Sequence, residues 1–94
     1  MYARIATFDL DPDRIDIARK EVESNWETPP EGLENTKQFW MLVDRQNGVG
    51  LGVTVFETEE DLRRGDEALK AMPRAGGPRT NVAFYEVLLR KERD

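Results

Sequence analysis

Cysteine and histidine are both missing from the 94 residues of this chain. Their absence excludes disulfides, thiolate-bound zinc and iron–sulfur clusters, imidazole ligation of zinc or haem, and the cysteine nucleophiles and histidine bases of many enzymes. A site for a metal held by carboxylates alone is formally left, but the acidic group Asp9, Asp11, Asp13 and Asp16 opens a helix and lacks a calcium-loop spacing. No metal and no cofactor are therefore expected. The chain also lacks an apolar run long enough to span a bilayer and a basic-then-apolar leader, so a soluble cytoplasmic protein without membrane contact is expected. Positive charge is in deficit, with 14 basic against 19 acidic residues and a net charge of −5. Divided after Asn47, the first part has 6 basic and 10 acidic residues and the second 8 and 9, so neither half offers the positive footprint of a nucleic-acid binder. No short repeat and no low-complexity segment is present, and the length suits one domain with one modest core.

What the chain does have is centred on Thr36 to Glu57, TKQFWMLVDRQNGVGLGVTVFE. Two runs rich in β-branched, aromatic and aliphatic residues flank Asn47-Gly48, the dipeptide of a two-residue type I′ hairpin turn. That turn would set Gln46 opposite Val49, Val43 opposite Gly52, Met41 opposite Thr54 and Phe39 opposite Phe56. Alternation then gives Phe39, Met41, Val43, Gly52, Thr54 and Phe56 one face and Trp40, Leu42, Leu51, Val53 and Val55 the other. Both faces are largely apolar, unlike an antiparallel sheet with one face in water. Something besides the chain's own helices should cover the second face.

Around this hairpin the other elements fall in order. Tyr2 to Phe8 reads as a first strand. Asp11 reads as the N-cap of a helix with Pro12 in its first position, and Ile15, Ala18, Val22 and Trp26 recur on one side of it until Thr28-Pro29-Pro30 ends it. A loop runs to Asn35. After the hairpin, Thr58 with Asp61 resembles a capping box, opening a second helix with Leu62, Gly65, Leu69 and Met72 on one side and a stop near Met72-Pro73. Gly65 costs about 1 kcal/mol relative to Ala in a helix, which implies close approach of helix to sheet. Arg74 to Thr80 reads as a mobile Gly/Pro loop, and Asn81 to Leu89 as the last strand. A single domain over 1–91 with a charged C-terminal tail over 92–94 is expected. Trp26 and Trp40 read as core residues between helices and sheet, each worth about 3–5 kcal/mol on truncation. Arg63 and Arg64 read as a solvated face.

The order strand, helix, strand, strand, helix, strand is the ferredoxin-like βαββαβ unit, an α+β fold with a four-stranded antiparallel sheet and two helices on one face. The bare apolar face exceeds what soluble monomers usually expose, so a second copy packed sheet to sheet, a homodimer, is expected.

The short first strand, Asp-Pro-Asp at the first helix, the hairpin segment LVDRQNGVGLGVTVFETEEDL and Tyr85-Glu86-Val87 in the last strand together resemble the antibiotic biosynthesis monooxygenase-like (ABM-like) domains of the dimeric α+β barrel superfamily. The resemblance covers nearly the whole chain and rests on the pattern of elements and one turn segment, without an active-site motif. It implies a homodimer whose two sheets close a barrel, and activities among which cofactor-independent oxygenases and haem-degrading enzymes stand beside members without assigned activity. Haem degradation is disfavoured by departures from the pattern: no histidine on the second helix, Phe56 in place of a tryptophan, and Ala6 and Thr7 where an asparagine is usual.

Candidate site residues follow from both lines. Thr54 is the one polar side chain among Phe39, Met41 and Phe56, and Gly52 beside it leaves room for a small apolar or aromatic ligand, although threonine is also simply a good strand residue. Arg4 could bind an anionic group or pair with an acid. Tyr85 and Glu86 point to opposite faces, and one of them could serve as proton acceptor; a Glu86 set between Phe84 and Leu88 would be partly desolvated. Otherwise Glu86 lies on an edge strand, reaching solvent or pairing with Arg4. Three readings follow: a small-molecule-binding or non-catalytic module, a cofactor-independent monooxygenase acting on an aromatic or polyketide-like compound, or a docking surface for another protein.

Overall fold

The computed structural model describes residues 1–72 and 77–94. Its strands are β1 (Tyr2–Asp9), β2 (Thr36–Asp44), β3 (Val49–Phe56) and β4 (Arg79–Glu86), and its helices α1 (Ile15–Glu27) and α2 (Glu59–Ala71). A 3₁₀ turn, Pro12–Arg14, leads into α1. The sheet is antiparallel in the order β2-β3-β1-β4, so the hairpin and the two outer elements interleave as a ferredoxin-like α+β fold requires.

Local chemistry sets the element ends. The Asp11 carboxylate accepts from the Asp13 N–H at 3.0 Å, with Pro12 at the first helical position. Thr58 Oγ1 accepts from the Asp61 N–H at 3.1 Å, capping α2. The Asp61 carboxylate does not reach back to complete a capping box; it accepts from Asn35 Nδ2 at 3.0 Å and ties the loop before β2 to the helix. α2 stops at Ala71, with Met72 already extended. The Gly/Pro loop expected after it lies, over 73–76, outside the described residues.

The hairpin differs from expectation by two residues of register. Asp44, not Gln46, pairs with Val49, and Met41 and Phe39 lie opposite Gly52 and Thr54. The two-residue turn is displaced by a four-residue connection, because the Asp44 carboxylate accepts from both the Asn47 N–H (3.1 Å) and Asn47 Nδ2 (2.7 Å). This local side-chain ring holds Asn47 at negative φ and leaves only Gly48 left-handed, at φ 67°. A slip of two preserves parity, so the assignment of residues to faces holds as expected.

On the inner face, rows run across the sheet: Thr36, Phe56, Tyr2 and Glu86; then Phe39, Thr54, Arg4 and Phe84; then Met41, Gly52, Ala6 and Val82. Phe56 is completely buried and packs with Leu33 and Leu62. Gly65 of α2 lies directly on its ring, where a Cβ would collide. That contact explains the glycine on an apolar helix face. The outer face carries Trp40, Val53, Ile5 and Ala83 in one row and Leu42, Leu51 and Thr7 in the next, with no helix over them.

Three expectations are corrected. Trp40 is 53% exposed on the outer face and Trp26 51% exposed at the end of α1, so neither is a core residue between helices and sheet. Arg4 does not pair with Glu86, which is exposed on the edge strand; it crosses to α2 and binds Asp66. The last strand spans Arg79–Glu86, beginning two residues earlier and ending three earlier than expected. β4 ends opposite Tyr2, the first residue of β1, beyond which there is little strand left to pair with.

Replacing Gly65 with Ala should destabilise the fold by about 1–3 kcal/mol, since overpacking against a fully buried ring outweighs the gain of about 1 kcal/mol in helix propensity. Urea unfolding of wild type and G65A measures it; a stabilised variant would show that the helix can lift off the ring freely.

Candidate functional site

Small side chains at the middle of the sheet make a hollow. Gly50, Gly52 and Ala6 are all buried, and they lie on neighbouring strands of the inner face. α2 is drawn onto the sheet at Phe56, whereas α1 approaches no strand as closely as α2 approaches β1 and β3. Between α1, the sheet and the end of α2 lies a cavity of about 390 Å³, within the roughly 300–1,000 Å³ of small-molecule sites. Arg4, Ala6, Phe8, Phe39, Met41 and Thr54 form its sheet wall, Ala18, Val22 and Trp26 the α1 wall, and Leu69 and Met72 the α2 end. Pro29 and Leu33 of the connecting loop close one side. These walls are apolar apart from a few groups, which is the composition of a site that desolvates a hydrophobic ligand and orients it by a small number of polar atoms.

The main polar feature is a buried ion pair. Arg4 Nε donates to Asp66 Oδ1 at 2.9 Å, with side chains only 3% and 8% exposed. Lys70, one helical turn on, meets Asp66 Oδ2 at 3.1 Å from the solvent side. Arg4 Nη2 is buried and has no hydrogen-bond partner among the described residues. Burial pushes the Asp66 carboxyl upward, but the hydrogen bonds from Arg4 and Lys70 and then their charges prevail, leaving it below the ordinary aspartate value. Lys70 is raised above its usual value by the hydrogen bond and charge of Asp66. Glu34, in the cavity wall, is lowered by backbone N–H groups of its own residue and of Gly32 and also faces Arg64 at 3.6 Å.

The structure thus brings together Arg4, Thr54, Phe39 and Met41 from the expected set. Thr54 is buried between Phe39 on β2 and Arg4 on β1, its direct cross-strand neighbours. Phe56 lies outside the cavity, beneath α2. Glu86 and Tyr85 also lie outside it. They border a second depression of about 420 Å³ between α2 and β4, together with Tyr2, Phe84 and the acids Glu59 and Glu67. Asp66, Lys70 and Trp26 have places in or behind the site that the sequence reading did not assign. Asp66 carried a usable signal: it follows Gly65 and stands four residues after Leu62, so it falls on the inward side of α2 and calls for a buried cation. No group of acidic side chains able to hold a metal occurs among the described residues. None of the described helices is long and apolar enough to cross a membrane.

Because Asp66 is more acidic folded than unfolded, its contribution to stability is complete well above the unfolded value of about 3.9 and is lost as pH falls through the folded value. Asp66→Asn should lower stability by about 3–5 kcal/mol at pH 7, and the gap to wild type should narrow below about pH 4. Urea midpoints of both proteins from pH 2 to 8 measure this; a gap constant with pH would contradict it.

No known family profile and no curated protein sequence matches the chain. Solved structures do. The haem-degrader MhuD of Mycobacterium tuberculosis, with two haems bound in its active site, superposes with a TM-score of 0.58 at 16% identity over 98% of this chain and all of that one. A monooxygenase of Streptomyces coelicolor, ActVA-Orf6, in complex with nanaomycin D, gives a TM-score of 0.61 at 15% identity over 99% of this chain and 92% of that one. A further antibiotic biosynthesis monooxygenase gives 0.57 at 15% identity over 95% and 100%. The chain has the ABM-like fold.

Proposed function

We propose that this ABM-like chain is a cytoplasmic, homodimeric small-molecule-binding protein whose ligand, an apolar or aromatic compound, lies in the cavity between α1 and the sheet. The observation that carries this reading is the cavity itself: about 390 Å³ with apolar walls and a short polar row, Thr54 and Arg4, at one side. Similar structures supply a parallel, since one holds haem and another nanaomycin D. Binding is favoured over turnover because the two expected proton acceptors, Glu86 and Tyr85, border a different depression. A cofactor-independent oxygenase would have to deprotonate its substrate where oxygen meets it.

The homodimer rests on the outer face. Trp40, Leu42 and Tyr85 are 53%, 44% and 56% exposed, and Ile5, Leu51 and Val53 complete one apolar surface around them. Water against such a surface is unfavourable by about 25 cal/mol per Å², and a matching surface on a second copy removes it. Facing copies would close their two sheets into a barrel.

Two outcomes are expected. Sedimentation equilibrium should show a dimer for the wild type and a monomer for Val53→Glu, which places one carboxylate at the centre of the outer face; a monomeric wild type would end the barrel. Titration with nanaomycin D, followed by Trp26 fluorescence in a W40F background, should show saturable quenching with no oxygen uptake. Steady oxygen consumption would replace the binding reading with the oxygenase.

A further inference from the structure

We infer that the cavity is specific for ligands carrying a carboxylate on an aromatic body, and that Arg4 Nη2 with Thr54 Oγ1 is the subsite that receives the acid. The inference rests on the cavity being a ligand site and adds which chemical class it selects.

Arg4 is 3% exposed. A guanidinium buried this deeply normally has every N–H satisfied, because a buried donor without a partner retains the full cost of its lost hydration. Here only the Nε edge is used, by Asp66, and Nη2 is unpartnered among the described residues. Arg4 is also part of the cavity wall with Nη2 covered just beneath it, so a molecule in that space meets the unused donor once the guanidinium shifts outward. Thr54, its direct partner across the β1–β3 pairing, is 3% exposed in the same wall and shares the inner face with Arg4. A carboxylate has two acceptor oxygens, which suits one donor from each residue.

Charge favours an acid over a neutral carbonyl. Asp66 is shared between Arg4 and Lys70, so two cations contact one buried anion. Glu67 meets Lys70 only at the exposed rim, at 3.7 Å, where solvent screens it. The acids of the cavity wall stand elsewhere: Glu34 faces Arg64, and Glu21 is on α1, opposite the sheet. Phe39 lies on the far side of Thr54 and Met41 in the next row, so an aromatic ring attached to the acid would rest on apolar side chains.

The test is calorimetric titration of the full chain with 2-naphthoate and with 2-naphthamide, its neutral counterpart of nearly the same shape. Wild type should bind the acid at least tenfold more tightly, and Arg4→Met should reduce that preference to less than about threefold, a charge-assisted hydrogen bond being worth about tenfold or more. Equal affinities in wild type, or a preference that survives in R4M, would overturn the carboxylate subsite and leave the cavity reading intact. Binding of neither compound would overturn both. Should R4M fail to fold, Thr54→Val decides: a reduced acid preference supports the subsite, and an unchanged one removes it.

Discussion

The architecture depends on how α2 is fastened. Gly65 lets the helix backbone settle on the Phe56 ring, and one residue further on Asp66 reaches the Arg4 guanidinium. The first contact is a matter of shape and the second of charge, and each restricts a different freedom: the glycine fixes how close the helix comes, and the ion pair fixes its position along the sheet. A buried ion pair contributes little net stability compared with a well-packed apolar pair, yet losing one member leaves an uncompensated charge at a cost of about 3–5 kcal/mol. The pair therefore specifies one arrangement more than it strengthens it. Because α2 is held down at one end of the sheet while α1 is attached through Leu10, Ile15 and Ala18, the middle of the inner face is left open beneath α1. The cavity is a consequence of this asymmetry.

Both faces of the sheet are apolar for different reasons. Inner-face residues alternate in size: Phe56 fills the space under α2, while Gly50 and Gly52 admit Leu10, Phe8 and Phe39 close to the sheet beside the cavity under α1. On the outer face the hairpin strands carry large residues, with Trp40, Leu42, Leu51 and Val53 forming a broad surface. Small residues on a covered face create volume, and large residues on an uncovered face create an exposed apolar surface. One strand, β3, serves both purposes through the period of two in its side chains.

Much of this was legible in the sequence because it depends on pattern. Asp11-Pro12, Thr58 and the alternation in the hairpin each carry their own local reason, and they located the helices and strands and sorted the faces. The register was not legible from Asn47-Gly48 alone, since the decisive contact is the Asp44 carboxylate folding over Asn47, a competition between two turns that differ by side-chain hydrogen bonds. Trp40 was misjudged because an aromatic residue in an apolar strand looks the same whether a helix or a second molecule is to cover it. Thr54, Phe39 and Met41 were found together because they share one face of the hairpin, and Arg4 was found separately, by its charge. Asp66 was missed although its spacing from Leu62 places it on the inward side, because it resembles the several exposed acids around it in the helix.

The claim that α2 is clamped and α1 roofs an open space is tested most directly by native-state hydrogen exchange read residue by residue. Amides of β1, β3 and α2 should exchange with the free energy of global unfolding, and those of α1 with a clearly smaller one, since few buried contacts hold that helix against the sheet. Uniform protection across α1 and α2 would contradict the account, because it would mean that the two helices are held equally.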